Sequence, residues 1–309
     1  MTRAKICVVG SSNIDLITYA PRLPKLGETV TGSNFQTGFG GKGANQAAMA
    51  AKLGGAVSIV TKVGEDLFGQ DTRKNFVELS IDTTYLYTTP DAHTGVAPIW
   101  VDESSGNNAI IVAAGANNLL SREDVENARV ALTTSHVVVC QWEIPTETIL
   151  TALRIAHEAQ VTTIFNPAPA HSEIPAEFYA HIDILCPNES EAERLTGMPV
   201  GTIEQATAAA QTLLSRGPRT VILTLGERGS LLVTAEGSQH FPAPRVQAVD
   251  TTGAGDAFVG SLAYYLAEGQ PIETAIQRAN RIAAISVQSP GTQRSFPSLA
   301  DLPADMLVE

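Results

Sequence analysis

Short apolar runs, rich in β-branched residues, alternate with longer amphipathic stretches along most of this chain. The runs lie at residues 6–9, 56–60, 136–140, 161–165, 182–186, 220–225 and 230–233. Helix-like patterns fall between several of them, at 44–53, 145–158, 190–196 and 203–216. A near-continuous apolar strand must be covered on both faces. The alternation therefore predicts an α/β fold, with a mostly parallel central sheet flanked by helices. Two further helical stretches, 254–268 and 272–287, are largely apolar and are expected to be well buried.

Two segments break the alternation. Residues 18–39 carry Pro21, Pro24 and several glycines around a short strand signal at 28–31. Residues 92–114 hold strand-like runs at 96–101 and 109–112 on either side of a polar turn at 102–108. These are expected to form a small β-sheet lid, from about 16–38 and 93–113, inserted in one domain spanning 1–309. Internal repeats and low-complexity linkers, which would argue for separate units, do not occur.

Composition removes several classes of function. A net charge of −12, with no cluster of Lys or Arg to offset it, repels phosphate backbones and speaks against a nucleic-acid partner. No apolar run approaches the roughly 20 residues needed to cross a bilayer, and the first one is too short for a signal-peptide core. The expectation is a cytoplasmic protein without a membrane partner. Cys7, Cys140 and Cys186 share no Cys-x-x-Cys spacing, and the six histidines show no zinc-ligand pattern. A Gly-x-Ser-x-Gly elbow is likewise missing.

The chemistry concentrates in four places. Gly38-Phe39-Gly40-Gly41-Lys42-Gly43-Ala44-Asn45-Gln46 opens an alanine-rich helix, where glycines allow close backbone approach and the helix start favours anionic or hydroxyl-rich groups. Gly38, Gly40 and Gly43 formally match the dinucleotide fingerprint, which leaves a nicotinamide-dependent dehydrogenase as a remote alternative. That fingerprint needs a preceding strand, and residues 34–37 make a poor one. Asp250-Thr251-Thr252-Gly253-Ala254-Gly255-Asp256 forms a second strand-to-helix junction, with backbone N–H groups able to hold a developing anion. Helix capping would account for one aspartate there, but not for two glycines and two threonines beside it. Asn166-Pro167-Ala168-Pro169 and Pro187-Asn188-Glu189-Ser190-Glu191 both follow apolar strands, where parallel sheets place ligands. Asn188 and Glu191 are hard oxygen donors suited to Mg²⁺. Thr224-Leu225-Gly226-Glu227-Arg228-Gly229 turns at a strand end, and Asn13, Asp15 and Glu143 add single polar groups at other strand ends.

These motifs, in this order, resemble the ribokinase-like (phosphofructokinase-B-type) carbohydrate kinases. The resemblance spans about residues 5–297 and rests on Gly-Gly-Lys-Gly-Ala-Asn-Gln at 40–46, Phe-Asn-Pro-Ala-Pro-Ala at 165–170, Asn-Glu-Ser-Glu-Ala-Glu at 188–193 and Ala-Val-Asp-Thr-Thr-Gly-Ala-Gly-Asp at 248–256. It implies phosphorylation of a small sugar by ATP, D-ribose at O5 first and 2-deoxyribose as the alternative. Asp256 would accept the hydroxyl proton, and Gly253, Ala254 and Gly255 would form the anion hole. Asn13, Asp15, Gly41, Lys42, Asn45 and Glu143 would hold the sugar. Thr224, Leu225, Gly226, Glu227, Arg228 and Gly229 would line the nucleotide site, with Asn188 near the phosphates, Gly255 beside them and Asn280 near the adenine. Glu191 would act on Mg²⁺ through water. A K⁺ site would map to Asp250, Thr252, Ser286, Ser289, Gly291 and Ser295. By the same resemblance, the lid would form the surface of a homodimer.

Overall fold

The computed structural model describes residues 4–104, 108–170 and 173–307. In chain order its strands are β1 (Lys5–Val9), β2 (Asn13–Ala20), β3 (Asn34–Gly40), β4 (Ala56–Gly64), β5 (Leu86–Thr89), β6 (Gly95–Asp102), β7 (Asn108–Ile110), β8 (Val137–Gln141), β9 (Thr162–Asn166), β10 (Ile184–Leu185), β11 (Thr220–Thr224), β12 (Ser230–Thr234) and β13 (Gly237–Phe241). The helices are α1 (Lys42–Lys52), α2 (Leu67–Glu78), α3 (Arg122–Asn127), α4 (Arg129–Thr134), α5 (Thr146–Glu158), α6 (Ala176–Tyr179), α7 (Glu189–Thr196), α8 (Ile203–Leu214), α9 (Ala254–Ala267) and α10 (Ile272–Ser286).

The main sheet runs β13-β12-β11-β10-β9-β8-β1-β4-β5. It is parallel from β11 to β5, and the β12–β13 hairpin continues it antiparallel at one edge. Alternate residues of β1 serve opposite layers. Ile6 and Val8 pack with α1, α9 and α10, whereas Cys7 and Val9 pack with the layer that holds α5 and α8. Burial on both faces is the reason these strands read as unbroken apolar runs. β4 and β5 extend the sheet from one side of β1 and β8 to β11 from the other, so the order reverses between β1 and β8. The carboxyl ends of strands at such a switch point leave an open crevice, the usual place for a ligand in this architecture.

A second sheet stands apart, in the order β3-β2-β6-β7. Its pairing is mixed, because β2 is antiparallel to β3 and parallel to β6. This is the expected lid, with two corrections. Residues 28–31 form no strand, and the strand lies instead at Asn34–Gly40, where the sequence looked poor. Its residues are largely exposed and carry little apolar signal; the seven-residue pairing with β2 makes the strand. The polar turn between β6 and β7 includes residues 105–107, which lie outside the described residues.

Strand β5 and helices α3, α4 and α6 lacked a clear sequence signal, as did α2 and β13. Helix α2 is mostly polar and starts at an Asp66 cap, whose side chain accepts from the Gly69 N–H. Strand β13 is exposed along four of its five residues. Among the described residues, no helix is long and apolar enough to cross a membrane.

Candidate active site

The crevice at the switch point is built by α1 crossing α9. Gly260 permits that crossing, since a Cβ there would come within 2.6 Å of the Gln46 carbonyl oxygen and 2.8 Å of the Met49 side chain. Close approach sets the first turn of α1 against the first turn of α9. Asp256, buried in α9, accepts from Asn45 Nδ2 at Oδ2 and from Gln46 Nε2 at Oδ1, each at 2.9 Å. Residues 210 and 211 positions apart thus define one carboxylate.

A cavity of about 140 Å³ opens in front of it. Its walls draw on all four sequence motifs, with Lys42 from α1, Asn188 and Glu191 from the start of α7, Gly253, Gly255 and Asp256 from α9, and Thr224 from the end of β11. Asn166, Ala168, Cys186 and Val259 close it. Helix α9 begins after Gly253 with no side-chain cap, so its dipole and first-turn N–H groups face this space. Of the three expected anion-hole residues, Ala254 already donates to the Thr251 carbonyl at 3.2 Å. Gly255 differs from the other two. A Cβ on it would meet nothing within 4 Å, and its φ needs no glycine, so the chain's own packing does not require this residue to be glycine.

The residues expected to hold the sugar converge at the ends of β1, β2 and β8. Glu143 accepts at Oε2 from the Lys42 backbone N–H (3.0 Å) and from Ser11 Oγ (2.6 Å). Gly41 has φ +86, and a Cβ there would sit 2.8 Å from the Asn13 nitrogen, so only glycine makes this turn. Asn13 is buried and oriented by Asn117, whose Nδ2 donates to Asn13 Oδ1 at 2.8 Å. The Asn117 Oδ1 accepts from the Ser12 N–H at 2.9 Å. Asn117 and Ser11 carried no sequence signal beyond being polar residues near loops.

Asp15 is 8% exposed, and burial raises its pKa from 3.8 to about 7, with a weak bond from Thr292 opposing and the charges of Glu143 and Asp256 adding. Burial works against the Lys42 ammonium, yet Asp256, Glu143 and Glu191 together hold its pKa above the ordinary lysine value. Glu191 is pushed up by burial, against the pull of the Asn188 N–H and Lys42.

The Asn188–Glu191 pair is a capping box at the start of α7. Asn188 donates to Glu191 from its backbone N–H (2.8 Å) and from Nδ2 (3.0 Å). Both Glu191 oxygens are therefore partly used, which suits contact with a cation through water better than direct ligation. No group of three or more His, Cys, Asp or Glu side chains among the described residues could hold a metal by itself.

Two nucleotide-side expectations look different in three dimensions. Arg228 is tied to Glu189 and to the carbonyls of Gly201 (2.8 Å) and Val200 (3.2 Å), so its guanidinium braces the α7–α8 connection. Asn280 is buried and donates from Nδ2 to Ser230 Oγ (3.0 Å) and the Phe241 carbonyl (3.1 Å). Leu225 is buried, while Gly226, Glu227 and Gly229 shape the turn after β11 outside the cavity wall.

Beside α9, Asp250 accepts from the N–H groups of Thr252 and Gly291, each at 2.9 Å. The Val249 and Asp250 N–H groups donate to the Val287 carbonyl, joining residues 249–252 to the loop after α10. Ser286 and Ser295 hydroxyls donate to the carbonyls of Ala283 and Thr292, and Ser289 is exposed.

A buried carboxylate at the head of an uncapped helix, lining one cavity with a lysine and the two glycines of that helix start, suits an enzyme that moves an anionic group onto an alcohol. The chain belongs to the pfkB family of carbohydrate kinases, whose pattern matches residues 3–299. It is 46% identical over 304 residues to the ribokinase of Mus musculus, covering 97% of this chain and 94% of that one. To the deoxyribokinase of Salmonella typhi it is 44% identical over 294 residues, covering 95% and 96%. The structure of Arabidopsis thaliana ribokinase complexed with ribose and ATP matches at a TM-score of 0.88 and 34% identity, over 96% of each chain.

Proposed function

We propose that this protein is an ATP-dependent ribokinase, transferring the γ-phosphoryl group of ATP to O5 of D-ribose. The observation that carries the reading is Asp256, held by both oxygens at the mouth of an uncapped helix whose second residue, Gly255, leaves open space. Each Asp256 oxygen keeps a lone pair beyond the amide it accepts, enough to orient a sugar hydroxyl and take its proton. An ordinary carboxylate is a weak base for an alcohol. Because phosphoryl transfer has a loose transition state, the proton can pass late, as the new P–O bond forms. The α9 N–H groups meet the charge that develops on the transferred group, and Asn13, Asp15, Gly41, Lys42, Asn45 and Glu143 hold the sugar. Closing the lid sheet over the sugar would keep water from competing for the phosphoryl group.

Mg²⁺ carried with the nucleotide would neutralise phosphate charge, with Glu191 reaching it through water. Asp250, Thr252, Ser286, Ser289, Gly291 and Ser295 would supply oxygen donors with a single carboxylate, a set that suits a monovalent cation such as K⁺. The lid exposes Phe35 (59%), Ile111 (60%) and Val112 (53%), apolar side chains that support a homodimer through this sheet. The dehydrogenase alternative falls, because the strand before the glycines pairs antiparallel in the lid and does not lead out of the parallel sheet.

The test is ADP release from MgATP with D-ribose, for wild type and Asp256→Asn. Ribose-dependent turnover that drops by about 10²-fold or more in the variant supports the reading. Similarity to a deoxyribokinase keeps 2-deoxyribose as the second reading. A clearly higher kcat/KM for deoxyribose would select it. Turnover with neither sugar would overturn both.

A further inference from the structure

The two oxygens of Asp256 are the ends of two chains of side-chain amides. In the first, Asn75 Nδ2 donates to Gln293 Oε1 (3.0 Å), Gln293 Nε2 to Asn45 Oδ1 (3.1 Å), and Asn45 Nδ2 to Asp256 Oδ2 (2.9 Å). In the second, Gln141 Nε2 donates to Gln46 Oε1 (2.7 Å) and Gln46 Nε2 to Asp256 Oδ1 (2.9 Å). Every bond points toward the carboxylate. An ionised carboxylate only accepts, so it dictates which end of Asn45 and Gln46 faces it, and each of these dictates the next amide. The sense of both chains is therefore set by hydrogen-bond logic.

We propose that Gln46 and Gln293 are positioning residues for the base: the two amide chains lock the Asp256 carboxylate in one orientation, with its remaining lone pairs turned to the sugar hydroxyl. The proposal rests on the kinase reading above. Two further observations show that the arrangement is built. Gln141 Oε1 is buried and has no hydrogen-bond partner among the described residues, so this amide is held in the core by its Nε2 bond to Gln46 at the cost of an unpaired oxygen. Residue 10 is glycine where a Cβ would stand 2.0 Å from that same oxygen, so the backbone of the turn after β1 makes room for this amide. The Gln293 backbone is also pinned, since Lys52 Nζ donates to the carbonyls of Gln293 (2.6 Å) and Phe296 (2.8 Å). Both chains end in packed structure. One reaches the main sheet at Gln141, and the other reaches the half-buried Asn75 on α2.

Asn75 offers a way to test the first chain from outside the pocket. Asn75→Asp replaces the donor with a pure acceptor. Gln293 must then turn its Nε2 outward, Asn45 must turn its Nδ2 toward Gln293, and the Asn45 oxygen comes to face Asp256. Asn75→Leu only removes the last link. The expected result is a kcat about tenfold lower for Asn75→Asp and less than about threefold lower for Asn75→Leu, with KM for sugar and ATP moving less than kcat. In a Gln293→Met background the chain is cut, so Asn75→Asp should cost nothing further. Gln46→Met tests the second chain, with an expected loss of about tenfold in kcat and a lowered thermal midpoint, since it also leaves the buried Gln141 Nε2 and Asn166 Oδ1 without their partner; kcat is therefore compared at temperatures where both proteins are folded. Equal effects of Asn75→Asp and Asn75→Leu, additivity with Gln293→Met, or losses confined to KM would overturn the inference while the kinase reading stood. A wild type inert toward both ribose and deoxyribose would overturn the kinase reading and this inference with it.

Discussion

Asp15, proposed above to hold the sugar, is expected to cost the fold stability wherever it is ionised. Its carboxyl sits 8% exposed near Glu143 and Asp256, and its pKa rises from 3.8 to about 7. Below pH 3.8 the folded and unfolded chains both hold this proton, and the group is neutral in the balance. Between 3.8 and about 7 the unfolded chain releases it while the folded chain keeps it, so stability falls as pH rises. Above about 7 the whole penalty is present, and the gap between the two values corresponds to about 4 kcal/mol as an upper figure. Asp15→Asn removes the titration and keeps the shape, including an acceptor for Thr292. Urea or thermal unfolding of both proteins at pH 5 and pH 8 is the assay. The variant should gain several kcal/mol over wild type at pH 8 and clearly less at pH 5, while losing sugar affinity. A variant no more stable than wild type at pH 8, or an equal difference at both pH values, would refute the reasoning. In wild type, sugar hydroxyls that donate to the ionised carboxylate should make sugar KM fall as pH rises through about 7.

Gly255→Ala should fold as well as wild type, or gain up to about 1 kcal/mol, because the new methyl meets no protein atom and alanine suits a helix better. Its kcat should fall by about 10²-fold, since the methyl enters the space of the transferred group; full activity in a steady-state assay would remove Gly255 from the site. Ile111→Asp on the lid should yield a 32.6 kDa species in light scattering where wild type gives twice that mass, and an unchanged mass would place the dimer contact elsewhere. Chelation of divalent ions should abolish turnover while leaving unfolding of the free protein unchanged, because no group of three or more His, Cys, Asp or Glu side chains among the described residues could hold a divalent ion by itself.

What could be read from the sequence is what neighbours in the chain decide. Burial on both faces made the parallel strands recognisable as apolar runs, and helices α1, α5, α7, α8, α9 and α10 lie within a few residues of their periodic patterns. The Asn188–Glu191 capping box and the glycine junction before Asp256 are local motifs, so their spacing already carried their geometry. Strand β3 was not legible, because exposed polar residues become a strand only when β2 lies beside them.

The assembly of the site was decided by tertiary structure alone. Asn117 orients Asn13 from more than a hundred residues away, and the Arg228 side chain braces the connection between α7 and α8. Gln141 and Gln293 are ordinary polar residues in the sequence and Gln46 stood out only as part of the motif at 38–46; the close crossing of α1 and α9 at Gly260, with β8 and the loop after α10 packed beside it, brings their amides into line with one carboxylate. A hydrogen bond acts over about 3 Å and takes no account of separation along the chain. The sequence could therefore name the chemical groups and the local turns that present them. Which amide reaches which oxygen depended on how two helices pack against one sheet.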